Sequence, residues 1–171
     1  MLRTCFFTFV LVLVMLSTVM AQSNGESTDR EFRNHHIALK ASSISHTGFF
    51  YGYHTEQWMI GGGGYYFFES EGGNVDSVFE FGFELQRSLK RSGGFNLYAI
   101  TGFGIHREQG EFNADDKWFQ YGFGVGVSNE SSSGFIINLD GGILRFRNYS
   151  GGSNNRTTIG FGLGIAIGYK F

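Results

Sequence analysis

The chain has 171 residues, of which 27 are glycine, 18% are aromatic, one is cysteine and none is proline, and its formal net charge is −2. That charge leaves no basic footprint for nucleic acid, and a single thiol excludes an internal disulfide. Glycine at this level accompanies disorder in chains poor in aromatics, but here glycine and aromatics alternate, which predicts strands with one small face and one large face.

In chain order, residues 1–21 read as a secretory signal: Arg3 is a minimal positive region, residues 6–16 are an apolar run, and small residues end at Ala21. The rival, a membrane-spanning helix, needs roughly 17 to 25 apolar residues, more than the uninterrupted run provides. Cleavage after Ala21 would start the mature chain at Gln22 and remove Arg3 and Cys5, taking the charge to −3 and closing off thiol chemistry. Cys5 precedes the apolar run and so is not placed as a lipid-anchor cysteine. Residues 22–34 are expected as a polar periplasmic segment and 35–171 as one barrel domain.

Strands are expected over 36–45, 48–53, 57–68, 76–88, 94–107, 117–128, 134–146 and 157–171. In the last, Ile159, Phe161, Leu163, Ile165, Ile167, Tyr169 and Phe171 alternate with Gly160, Gly162, Gly164, Ala166 and Gly168. The same period recurs in Phe119, Tyr121 and Phe123 against Gln120, Gly122 and Gly124, and in Phe79, Phe81 and Phe83 against Glu80, Gly82 and Glu84. The third strand carries Gly61, Gly62, Gly63 and Gly64, so its faces are ambiguous and it is expected to bend or pack closely there.

A soluble barrel would turn the large residues inward and a charged face to water, yet the small face is mostly glycine. Eight strands enclose a space only wide enough for side chains to fill. The large residues are therefore expected outside, where only lipid tolerates so much contiguous apolar surface. The predicted fold is all-β: an eight-stranded antiparallel up-and-down transmembrane β-barrel after a cleaved signal peptide. Phe79, Phe81, Phe83, Phe119, Tyr121, Phe123, Phe161, Leu163, Ile165 and Ile167 are expected to face lipid. Connections two, four and six are short and three, five and seven longer and polar, as for a barrel with periplasmic termini, although the short first connection breaks the pattern.

The end of the chain, Tyr169-Lys170-Phe171 after alternating large apolar residues, resembles the barrel-assembly signal of outer-membrane proteins. With the signal segment and strand count, residues 35–171 resemble the small OmpA/OmpX-like outer-membrane barrels. The tight first hairpin, 38–53, is similar to the small barrels of Bacteroidetes-type bacteria. The resemblance implies a Gram-negative outer membrane, Tyr169 and Phe171 as the assembly signal, and the barrel-assembly machinery as a partner. No peptidoglycan-binding domain is expected.

Polar residues expected inside are Lys40, Glu80, Glu84, Gln120, Asn138, Asp140 and Lys170, with His54 and His106 near strand ends. In a low-dielectric lumen they should neutralise one another and plug the barrel; the alternative is a narrow polar conduit. His46 with Asp76 and Ser77 resembles the set of outer-membrane palmitoyl-transfer barrels, against which stand the lack of an amphipathic helix before the barrel and of any proline to weaken strand edges. His35 and His36 are neighbours in a strand, so they point to opposite faces and cannot chelate together. Arg145 and Arg147 share a face that would meet lipopolysaccharide phosphates or simply be solvated, and Trp58 and Trp118 suit interfacial belts. Acidic residues 108–111 with Asp115 and Asp116 suggest at most a weak cation site, more simply a solvated loop. Two glycosylation-like triplets, at Asn148 and Asn155, carry no weight.

These readings converge on a monomeric, non-enzymatic structural or surface-interaction barrel with no catalytic residues, cofactor or metal, and with outer-membrane lipid and lipopolysaccharide as partners. A pore or small-molecule passage, a lipid-modifying enzyme and a soluble periplasmic barrel are its rivals.

Overall fold

The computed structural model describes residues 33–71, 74–109, 116–148 and 157–171; the expected signal segment and nearly all of the polar segment after it lie outside these residues. Eight strands, β1 (His35–Ser42), β2 (Thr47–His54), β3 (Trp58–Glu71), β4 (Asn74–Ser92), β5 (Phe95–Gln109), β6 (Asp116–Glu130), β7 (Phe135–Asn148) and β8 (Thr157–Lys170), close into one antiparallel barrel. Each strand pairs with its neighbours in sequence, and β1 with β8. The all-β up-and-down architecture is therefore as expected, and it is consistent with an OmpA/OmpX-like fold.

The alternating rows fall into phase across strands. Between β5 and β6, Phe103 faces Tyr121 and Ile105 faces Phe119 on the outer surface, while Gly102 faces Gly122 and Gly104 faces Gln120 on the inner one. A one-residue slip would exchange the faces of a whole strand, so this pattern fixes the register. Ring contacts run around the outside from Phe83 to Phe103 at 5.4 Å and from Phe103 to Phe119 at 6.1 Å. At the end where β1 starts and β8 finishes, called the terminal end, His35 and Phe171 exchange backbone hydrogen bonds of 3.0 and 2.9 Å, and Ile37 faces Tyr169.

Two features depart from expectation. The first strand ends at Ser42 instead of continuing to residue 45, because the chain there folds into the barrel: Ile44, Ser45 and His46 are fully buried. The opposite wall explains how this is possible. A Cβ at Gly104 would lie 2.0 Å from the Ser45 carbonyl oxygen, one at Gly82 2.6 Å from that oxygen, and one at Gly102 2.9 Å from the Ser45 Cβ. The chain rejoins the wall at Gly48, whose φ of 120° and close approach to the Gly64 carbonyl both demand glycine.

The second departure concerns the lumen, which is not confined to small and polar residues. Phe50, Met59, Tyr98, Ile100, Ile136 and Leu144 are buried inside it. Several of these occupy space left by a glycine: a Cβ would meet the Phe50 ring at 2.4 Å from Gly61, the Tyr98 ring at 2.4 Å from Gly126, and Leu144 at 2.4 Å from Gly162. The narrow bore is filled by pairing large with absent side chains.

The shortness of the first hairpin leaves the wall uneven. β1 and β2 have 8 residues each, whereas β3 and β8 have 14. β8 pairs with β1 only over residues 164–170, and β3 with β2 only over 59–64. Beyond a last hydrogen bond of 3.0 Å from the Ser43 amide to the Leu163 carbonyl, the upper parts of β3 and β8 have no strand partner on their facing sides among the described residues. Among the described residues a notch thus opens at the distal end, above the inward-folded turn.

Candidate functional site

The polar residues of the lumen form three levels instead of a single network. In the middle, Lys40 of β1 pairs with Glu84 of β4 and lies 3.8 Å from Asp140 of β7, so one ammonium links strands on well-separated parts of the wall. Ser45 Oγ and Gln86 Nε2 each donate to Glu84 at 2.9 Å, and Ser42 Oγ donates to Asp140 at 3.4 Å. The side chains of Lys40, Glu84 and Asp140 are almost wholly buried, and Asn138 is buried on the same inner row as Asp140. Charges removed from water to this degree persist only when paired and hydrogen-bonded.

The inward turn caps this level from the distal side. Ile44 reaches down to cluster with Tyr98 and Ile100, and His46 stacks on Phe50 at 5.7 Å. Gln120 Nε2 donates to the Ser45 carbonyl at 3.3 Å, fixing the turn to β6.

Above the turn lies a second level, a vestibule of about 410 Å³ that includes Ser42, Thr47, Glu80, His106, Trp118 and Gln120 in its lining. Glu80 accepts the Thr47 amide at 2.6 Å and lies 3.4 Å from His106 Nδ1. Trp118 stacks face to face on His106 at 3.7 Å. That placement corrects the expectation of an interfacial tryptophan: Trp118 shares the inner row with Gln120 because an even number of positions separates them. Trp58, by contrast, is exposed on the outside near the terminal end, beneath Arg87 at 5.4 Å.

The third level is at the terminal end, where Lys170 Nζ donates to Glu130 at 3.0 Å. His36 and His54 are buried beside one another, ring centroids 5.6 Å apart. His35 points outward onto Tyr51, Tyr53 and Phe171. Among the described residues, no group of three or more His, Cys, Asp or Glu is placed to hold a metal ion.

Outside, Phe79, Phe83, Tyr121, Phe123, Phe161, Leu163 and Ile167 are exposed, and Phe81, Phe119 and Ile165 are half-buried on the same outer rows. Tyr169 and Phe171 are exposed beside the seam that closes the barrel. Towards the distal end the outer rows turn basic: Arg107 faces Lys117, Phe119 faces Arg147 and Tyr121 faces Arg145. Arg145 Nη1 donates to the Tyr121 hydroxyl at 2.9 Å.

The residues resembling a palmitoyl-transfer set are not brought together. His46 lies inside, its Cβ against Gly82, whereas Ser77 is further up β4 by about 16 Å at ~3.3 Å per residue and shares the outer row of Phe79. Asp115 and Glu111 of the acidic connection, and Asn155, lie outside the described residues.

Sequence reasoning missed Gln86, Ser45 and Glu130. Gln86 continues the inner row of Glu80 and Glu84 and was detectable by period alone. Ser45 was hidden because nothing local marks its segment as leaving the wall. Comparison of the chain with protein-family models, with curated proteins and with solved structures gives no match in any of the three.

Proposed function

We propose that this chain is an integral outer-membrane barrel of a Gram-negative bacterium, of the small OmpA/OmpX-like, Bacteroidetes-type kind. In this reading it is non-enzymatic, has a structural or surface-interaction role, and has a plugged, non-conducting lumen. One observation carries the proposal: the exposed outer rows are aromatic and aliphatic around the cylinder, while the bore is filled by side chains and by its own first turn. A soluble protein would leave that outer surface in water, an arrangement that favours aggregation.

Partners follow from the same surfaces. The distal basic residues Arg107, Lys117, Arg145 and Arg147 suit lipopolysaccharide phosphates, Tyr169 and Phe171 suit the barrel-assembly machinery, and a closed seam without a free full-length edge suits a monomer. Conduction would require residues 43–46 to leave the bore and the Lys40–Glu84 pair to part. Three measurements test the reading. Purified protein should migrate differently on gels before and after boiling, and in planar bilayers it should give no steady unitary openings. Regular channel steps would reject the plugged lumen; extraction from membranes without detergent would reject the membrane assignment itself.

A further inference from the structure

The vestibule and the notch meet, and their meeting has a chemical consequence. The cavity lined by the inner residues Glu80, His106 and Gln120 is also lined by Ala41 and Leu163, which belong to the outer rows of β1 and β8. One cavity reaches both faces of a sheet only where the sheet ends, and here β1 stops at Ser42 while β8 continues. The opening lies within the apolar belt: Phe161 beside it faces Ile143, which shares the row of Phe123 one strand further on. Phe161 is 90% exposed, against 42% for Ile143, since no β1 residue covers it.

Because the Leu163 carbonyl points toward β1, strand alternation aims the amides of Phe161 and Ile159 the same way, across the notch. Backbone groups left open in hydrocarbon are costly. Inside, His106, whose Nε2 is buried without a hydrogen-bond partner, lines a cavity whose volume falls within the roughly 300–1,000 Å³ of small-ligand sites.

We propose that the notch is a lateral doorway from the membrane, and that the vestibule binds the head of an uncharged single-chain amphiphile while its hydrocarbon tail lies against Leu163 and Phe161. A polar chamber with an apolar mouth selects a molecule of the same polarity. No lysine or arginine lines the chamber, and Glu80 would repel a carboxylate or phosphate. A hydroxyl or amide head, in contrast, can donate to Glu80 and, with a small turn of the His106 ring, reach the nitrogen that has no hydrogen-bond partner. The doorway rests on the membrane-spanning reading above.

The test uses the mature chain in phosphatidylcholine vesicles with Trp58→Phe, which leaves Trp118 as the sole tryptophan of the two in the sequence. Titration with monomyristoylglycerol should change Trp118 emission saturably, and myristate at the same membrane loading should not. His106→Phe keeps a ring against Trp118 but removes the nitrogen, and Ala41→Phe adds bulk at the mouth; each should weaken the midpoint at least tenfold, whereas Val125→Phe, elsewhere on the belt, should leave it unchanged. A heat-shifted gel band establishes that each variant is folded. A monoacylglycerol with a photoreactive tail should label residues 159–163 in preference to Val125. A non-saturable response, equal binding of myristate, or wild-type midpoints in both folded variants would overturn the proposal. Release of the protein by carbonate would overturn the membrane reading as well, whereas retention without a Trp118 response overturns this inference alone.

Discussion

Replacing Lys40 by methionine tests the middle level of the lumen directly. Lys40 is the cation between Glu84 and Asp140, and all three side chains are nearly inaccessible to solvent. Removing one partner of a buried pair costs about 3–5 kcal/mol because the remaining charge is left without compensation, and here two carboxylates are left. Glu84→Gln should cost less, about 2 kcal/mol, the scale of hydrogen bonds to a charged group. Lys40 then retains Asp140 at 3.8 Å, and the carbonyl of the substituted amide still accepts from Ser45. The double variant should be more stable than the sum of the single effects predicts, by about 1–3 kcal/mol. Urea unfolding of protein in vesicles, followed by the fraction of heat-shifted band, measures all three. Equal losses for the two single changes, or less than about 1 kcal/mol for Lys40→Met, would refute the account of Lys40 as a shared counter-ion.

Gly126→Val should destabilise by about 1–3 kcal/mol through overpacking against Tyr98, with partial recovery when Tyr98→Leu is added; thermal unfolding followed by the gel shift reads both. Phe171→Ser should lower the amount of folded barrel in outer membranes several-fold while leaving refolding of purified protein into detergent intact, which separates recognition by the assembly machinery from stability. Arg145→Gln with Arg147→Gln should reduce lipopolysaccharide recovered with the purified protein, measured by phosphate content, without moving the unfolding midpoint. Ser77→Ala should leave lipid A acylation unchanged in a membrane assay, since Ser77 and His46 are on opposite sides of the wall.

The strand rows of β4, β6 and β8 were legible because glycine or a polar residue alternates with a large apolar one over many positions, and a closed barrel is the arrangement that serves both faces. β2 was less so: residues 48–53 read Gly-Phe-Phe-Tyr-Gly-Tyr, large on both faces, and only the cavity over Gly61 decides that Phe50 turns inward while Phe49 and Tyr51 turn out. The inward turn was invisible locally, since Ser42-Ser43-Ile44-Ser45 continues a plausible strand; its cause is remote, in Gly82, Gly102 and Gly104. Lys40, Glu84 and Asp140 could be placed on inner rows by counting, but their convergence on one point depends on the stagger of the closed cylinder. Trp118 was misjudged for a related reason: nearness to a strand end suggests an interface, whereas parity places it inside.

The mutual hydrogen bonds of His35 and Phe171 bring the start and finish of the cylinder side by side. A circular permutant is therefore geometrically accessible, with a peptide joining 171 to 35 and new ends cut at the Gly93-Gly94 hairpin. Such a rearranged chain would keep every strand ladder and lose only the covalent link of the severed hairpin, yet Tyr169-Lys170-Phe171 would now be followed by further strands. Under the proposed reading of Tyr169 and Phe171 as an assembly signal, shape and address would then be separable.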